Sequence, residues 1–362
     1  MSGIVFVGDT VWPARDCIDF EAILPALRGK QLVVNLEGPI LQRPPGECRV
    51  NNRYKTSLHS DPQLLQVLKR LGVAACDLAN NHINDYVGSV DPTIRQLDDA
   101  GIAHFGTENR TCTELMSGGT RFLLLGACSE LPERKAFAGD TNPKLFRPRV
   151  LLAQVAALRA ANPDARIVCV VHWGYELSIY PEPADREWAH RAIAAGVDCV
   201  IGHHPHVVQG VEAVGRGFIA YSLGNFLMPH GRFNGAELGF LAPEVLTQLG
   251  VELGDGDVRL HWFRYDKERS RLHCLIDEDG FDGNAMLATL SPFAGMSHER
   301  YRTWFSSIGV RGHLTRRRAG PIYRSYFGIQ GAAASLNNAY MLAKRQLRKG
   351  LMRMGLHKPQ RA

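Results

Sequence analysis

An α/β fold is what this sequence predicts, on three observations. Short β-branched runs alternate with longer helical patterns, helix-stopping residues close the helical stretches, and polar side chains gather just behind the strands. The runs at 4–7, 32–35, 75–78, 102–105, 122–126, 167–172, 199–201 and 218–221 read as strands. Helices are expected between them at 62–71, 90–100, 150–161 and 184–195. Asp61 stands as N-cap of the first, with Pro62 at its first helical position. Gly72, Gly101, Gly196 and Asn162-Pro163 follow the helical patterns, where left-handed or helix-breaking residues belong. After about Gly239 the rhythm changes. Residues 258–265 and 271–276 read as an antiparallel pair across a charged turn at 266–270, completing the edge of a second sheet. The expected division is a main domain over residues 1–285 and a basic, mainly helical extension over 286–362.

Hydrophobic content of 45% and charged content of 22% fit a globular protein with a sizeable core. No stretch approaches the roughly 18 consecutive apolar residues of a membrane-spanning helix. Met1-Ser2-Gly3 carries no basic run, and Ile4-Val5-Phe6-Val7 meets Gly8-Asp9 at once, unlike a secretory signal. A cytoplasmic protein is expected. The 8 cysteines form no CxxC pair, and Cys128, Cys169 and Cys199 lie in or beside apolar runs, so they read as small buried hydrophobes. Charge is uneven: residues 315–362 hold 11 Lys plus Arg and no acid, which leaves 31 basic against 36 acidic residues before them.

The chemistry gathers after the strands. Asp9 follows the first, Glu37 the second and Asn80-Asn81-His82 the third; His172 ends the sixth, and His203-His204-Pro205-His206 follows the seventh. Strand carboxyl ends are where α/β sheets build sites, so these loops are expected to converge on one crevice. Each motif alone has a bland reading: Gly-Asp is common, Asn-Asn-His suits a turn, and a lone His172 suits a core. Three imidazoles in four residues are different, because burying them neutral is expensive and metal binding explains them. Two carboxylates, an Asn amide and several imidazoles suit Mn, Fe or Zn better than Ca²⁺ or Mg²⁺. Six or more such ligands fit two divalent ions about 3.5–4 Å apart, an arrangement that activates water for attack on phosphorus.

These motifs also resemble a known family. Phe6-Val7-Gly8-Asp9, Asn35-Leu36-Glu37, Leu78-Ala79-Asn80-Asn81-His82 with Asp85-Tyr86, and His172-Trp173-Gly174 with Glu176 occur in its order. Ile201-Gly202-His203-His204-Pro205-His206-Val207 and Tyr221-Ser222-Leu223-Gly224-Asn225-Phe226 complete the set. The family is that of CapA-like capsule and poly-gamma-glutamate biosynthesis proteins, a branch of the calcineurin-like metallophosphatases. The resemblance implies a metallophosphatase-type β-sandwich flanked by helices in α-β-β-α layers, with metals at one end. It implies Asp9, Glu37, Asn81, His172, His204 and His206 as metal ligands, with Glu37 as the bridging carboxylate. His203 and His204 both remain open as the ligand. His82 resembles the histidine that protonates the leaving oxygen, and Asp85 and Glu176 are candidates to orient a histidine. Val11 stands where generic phosphoesterases carry a first-motif histidine.

The expected function is metal-assisted hydrolysis at phosphorus in capsule or exopolymer synthesis, with a phosphorylated small molecule or anionic polymer as substrate. The alternative is a non-catalytic subunit that holds polymer or a synthase partner. Residues 336–354 read as a basic amphipathic helix, suited to peripheral contact with the inner membrane face or to packing on the parent domain. No nucleic-acid motif accompanies the charge.

Overall fold

The computed structural model describes residues 3–42, 56–129, 141–233, 236–240, 242–254, 256–308 and 326–327. Strand β1 (Ile4–Thr10) leads through the single-turn helix α1 (Leu24–Leu27) to β2 (Gln31–Leu36), then through α2 (Leu64–Leu71) to β3 (Val73–Asp77). Helix α3 (Val90–Asp99) returns the chain to β4 (Ala103–Phe105). Next come β5 (Cys112–Ser117), β6 (Thr120–Cys128), α4 (Pro148–Ala161), β7 (Arg166–His172), α5 (Pro183–Ala194) and β8 (Cys199–His203). Strands β9 (Val211–Val214), β10 (Gly217–Ala220), β11 (Gly231–Phe233) and β12 (Ala236–Leu238) follow. The described chain closes with β13 (Thr247–Leu253), β14 (Val258–Asp266), β15 (Arg271–Cys274), α6 (Gly283–Leu290) and α7 (His298–Ile308).

Two sheets result. One has seven strands in the order β15-β14-β13-β1-β2-β3-β4; the other has six, β5-β6-β7-β8-β10-β9. Alternation along the strands explains their packing, because successive side chains take opposite faces. Phe6, Val33, Ala75 and Phe105 of the first sheet meet Leu124, Val168, Val170 and Ile201 of the second in a central apolar layer. Val5, Val7, Leu32 and Val34 point the other way, onto Leu64, Leu68, Leu71, Val90 and Leu97 of α2 and α3. Leu123, Leu125, Ile167, Cys169 and Val171 likewise pack on α4, α5 and α7 through Leu151, Val155, Trp188, Tyr301 and Phe305. The layers are therefore α-β-β-α, as the family resemblance implies.

Several details differ from the sequence reading. Strands 258–265 and 271–276 extend the first sheet rather than a second one, because β13, which the sequence reading missed, pairs antiparallel with β1 and carries them. Helix α2 begins at Leu64, after a turn in which Asp61 Oδ1 accepts Gln63 N–H at 2.8 Å. Gly72 closes that helix at φ 74°, the left-handed conformation expected of it. The division drawn after residue 285 falls inside α6, and α7 packs into the core of the second sheet. The basic helix expected at 336–354 lies outside the described residues. Among those described, no helix is long and apolar enough to cross a membrane, and no cysteine forms a disulfide.

Candidate metal centre

The carboxyl ends of β1, β2, β3, β7 and β8 meet at one end of the sandwich, so both sheets contribute donors. On β1 the register with β2 shifts between Val7 and Asp9, a bulge that brings Asp9 opposite Asn35. Gly8 makes this possible. A Cβ there would lie 2.1 Å from Gly224 O, in the path of the strand-like bonds Asp9 N–H to Gly224 O (3.0 Å) and Phe226 N–H to Asp9 O (2.8 Å).

Asp9 is the hub. Its Oδ1 lies 3.1 Å from His203 Nδ1, and its Oδ2 lies 3.2 Å from His206 Nδ1 and 3.3 Å from the His204 N–H. Ligand atoms of Asp9, Glu37 and His172 all fall within 4.8 Å of one another, and these three residues are fully buried. His172 Nε2 contacts Asn81 Oδ1 at 2.7 Å and lies 3.6 Å from Glu37 Oε1. The His204 ring sits 4.8 Å from that of His172 and 6.0 Å from that of His206. The structure thus brings all seven of Asp9, Glu37, Asn81, His172, His203, His204 and His206 into one buried cluster.

His204 and His206 hold positive φ values of 96° and 59°, a backbone conformation that side chains other than glycine rarely take. Such strain costs on the order of 1–3 kcal/mol per residue and persists where the surroundings impose it. Here Leu177 N–H binds Pro205 O and Trp173 N–H binds His203 O, pinning the loop from both sides.

Electrostatics follow from burial and pairing. Burial alone would raise the Asp9 carboxyl, but contacts with His203 and His206 hold it well below the usual range. Burial would depress His206, yet Asp9 outweighs it and lifts the imidazole to about 9. His172 moves the other way, held well below its ordinary value by burial and by the neighbouring His204. An anionic carboxylate beside a neutral imidazole is a ligand pair ready for a cation. The mixed nitrogen and oxygen donor set fits a divalent ion such as Mn, Fe or Zn.

His82 stands at the edge of this cluster. Its Nδ1 bonds Asp85 Oδ2 at 2.7 Å, and its Nε2 faces Glu37 Oε1 at 4.0 Å. Asp85 also accepts the Leu58 N–H at 2.9 Å, which fixes the carboxylate that orients the ring. Glu176 is exposed, on the His206 side; its charge helps raise His206, and no hydrogen bond joins it to a site histidine among the described residues.

Sequence reasoning missed Asn35 and Asn80. Asn35 Nδ2 donates to Asp9 Oδ1 at 2.7 Å and to Glu37 Oε2 at 2.5 Å. Its Oδ1 accepts from Asn80 Nδ2 at 3.0 Å, while Asn80 Oδ1 takes the His82 and Ile83 N–H groups. The signal was available: Asn35 lies two residues before Glu37, on the same side of an extended chain. Asn225 accepts from His206 Nδ1 at 2.9 Å. Asn35→Leu keeps the volume but removes both donations to the carboxylates. Its metal affinity should fall about 10–100-fold, the usual cost of losing a partner that orients a ligand. A chelator-competition titration measures this, and unchanged affinity would make Asn35 a packing residue only.

A two-sheet α/β protein with a buried carboxylate–histidine centre at the strand ends is the class these features define. Residues 15–230 match the family described as "Bacterial capsule synthesis protein PGA_cap", and the chain belongs to it. It is 30% identical over 225 residues to "Capsule biosynthesis protein CapA" of Bacillus anthracis, covering 59% of this chain and 54% of that one. It is 27% identical over 252 residues to "Probable polyglutamine synthesis accessory protein" of Mycobacterium tuberculosis (strain ATCC 25618 / H37Rv), covering 63% of each. The chain thus spans little more than half the length of the first of these relatives. A 5′-nucleotidase precursor from Thermus thermophilus overlays with a TM-score of 0.38 at 13% identity, covering 75% of this chain and 54% of that one.

Proposed function

We propose that this capsule-family protein is a metal-dependent hydrolase acting at phosphorus, on a phosphorylated intermediate or anionic polymer of capsule synthesis. The observation behind the reading is the His82–Asp85 pair, joined at 2.7 Å through Nδ1, with His82 Nε2 facing the candidate ligand Glu37 at 4.0 Å. When bound, two divalent ions of Mn, Fe or Zn would supply Lewis acidity toward water and phosphoryl oxygen. Asp9, Glu37, Asn81, His172 and His206 would hold them, with His203 or His204 completing the set. Asn35 keeps the two carboxylates aimed inward. Asp85 holds the His82 ring through Nδ1, which leaves Nε2 to pass a proton to the leaving oxygen as the P–O bond breaks.

The test is a phosphoester panel on metal-reconstituted protein. His82→Ala should leave metal content unchanged and cut turnover about 10²–10⁴-fold with alkyl leaving groups, the usual contribution of a positioned general acid. Nitrophenyl esters, whose leaving groups need no proton, should suffer least. Equal losses across leaving groups would remove His82 from proton transfer.

One observation favours a second reading, an accessory subunit that binds polymer without cleaving it. Val11, at the position of the first-motif histidine in generic phosphoesterases, is buried against Leu58, Met228 and Leu238 in an apolar cluster. Metal-loaded protein that turns over no ester yet binds anionic polymer would establish that reading instead.

A further inference from the structure

A second acidic site lies one layer behind the metal centre. Helix α5 opens with Glu182 as N-cap and Asp185 in its first turn. Acidic side chains there ordinarily accept the helix's own free N–H groups. Neither does so. Glu182 makes no side-chain cap bond, and both of its carboxylate oxygens are buried with no hydrogen-bond partner among the described residues. Asp185 is also buried, and its Oδ1 accepts the Tyr326 hydroxyl. A buried polar group without partners is costly, so Glu182, with the buried Asp185 in the same first turn, calls for an explanation.

The neighbouring cation does not supply it. Arg186, fully buried, is spent on Glu212 through bonds of 2.8 and 2.7 Å, with a further bond to Met296 O and the Tyr301 ring 4.7 Å away. Among the described residues, Asp185 meets the Tyr326 phenol, and its charge reaches Glu182. Tyr301, whose hydroxyl donates to Pro181 O at 2.6 Å, closes the preceding residue. The site also abuts the metal-bearing loops. A Cβ on Gly174, two residues after His172, would lie 3.8 Å from both Asp185 Oδ2 and Pro205 Cγ.

We propose that Glu182, Asp185 and Tyr326 form a second, oxygen-only cation site that takes a hard divalent ion, Ca²⁺ or Mg²⁺. Oxygen donors select such ions, as the nitrogen-rich centre next door does not. Burial supports this: it pushes Asp185 up to about 7 and Glu182 well above the carboxylate range, so without a cation the pair holds protons that a cation would displace. The bound ion ties the start of α5 to Tyr326, and it buttresses the loops at Gly174 and Pro205 from behind. This site is independent of any hydrolytic activity.

Terbium, a luminescent stand-in for Ca²⁺, tests it on the full chain with tyrosine excitation. Wild-type protein should show sensitised emission, and competition by Ca²⁺ or by Mg²⁺ identifies the resident ion. Glu182→Gln with Asp185→Asn should abolish that emission while leaving transition-metal content, by elemental analysis, unchanged. His204→Ala with His206→Ala should do the reverse. Tyr326→Phe, which keeps both acids and so guards against a misfolded double variant, should weaken terbium binding roughly five-fold, the loss of one neutral contact. Emission that survives in the Gln/Asn variant, or terbium affinity unmoved in Tyr326→Phe, overturns the proposal.

Discussion

Asp9→Asn should leave the protein folded and nearly free of transition metal. The substitution keeps the side chain's shape and volume but removes the charge on which the centre turns. Asp9 alone touches His203, His206 and the His204 backbone on one side and Asn35 on the other, joining donors from both sheets. Loss of an orienting partner alone costs about 10–100-fold in affinity, so loss of the shared anion should cost more than about 100-fold. An amide would also turn N–H groups toward imidazole nitrogens or toward the Asn35 amide, repelling donors that must converge. Elemental analysis after gel filtration reads the outcome, with circular dichroism to confirm the fold. His204→Ala with His206→Ala should give the same loss. Full metal occupancy in Asp9→Asn would place the ions elsewhere.

The seven ligand candidates could be read in sequence because strands present their carboxyl ends together, so motifs far apart in the chain share one address. His172 shows the limit. After Ile-Val-Cys-Val-Val it looks like a core residue, and only its position opposite His203 on the adjoining strand brings it to the centre. The strands were legible from their β-branched runs, whereas the α-β-β-α layering came from the resemblance to the capsule family. Strand β13 was not. Thr247-Gln248-Leu249-Gly250-Val251-Glu252-Leu253 places polar Gln248 and Glu252 on the face away from the central layer, where sequence pattern alone suggests solvent. Glu252 is nevertheless buried, paired with Lys30 at 2.6 Å and His261 at 2.7 Å. Long-range partners of this kind have no local signature. Asn35 was overlooked for a related reason: its importance lies in bridging two carboxylates, which depends on the β1 bulge at Gly8.

The largest effect expected on stability lies at another long-range pair, Arg186–Glu212. The guanidinium from α5 is fully buried and bonds both carboxylate oxygens of Glu212 on edge strand β9; His190 Nε2 at 3.0 Å and the Tyr221 hydroxyl at 2.7 Å share that carboxylate. Glu212→Gln would leave the guanidinium buried with a neutral amide, and breaking a buried pair from one side costs about 3–5 kcal/mol. Burial pushes the Glu212 carboxyl up, but bonds from His190, Arg186 and Tyr221 overcome it and bring it to about 2, below its ordinary 4.5. A depressed carboxyl stabilises the fold fully above the unfolded value and loses that contribution as pH falls through the folded one. The gap between wild type and Glu212→Gln in denaturant melts should therefore be constant above about pH 4.5 and shrink toward pH 2. Arg186→Met with Glu212→Leu, which removes both charges, should recover most of the loss, because apolar replacement of a buried pair is often neutral or stabilising. A Glu212→Gln variant within about 1 kcal/mol of wild type at neutral pH would show that water or another group already compensates the guanidinium. The pair would then be ornamental to the fold, and α5 would be held by its apolar face of Trp188, Ala189 and Ala192 alone.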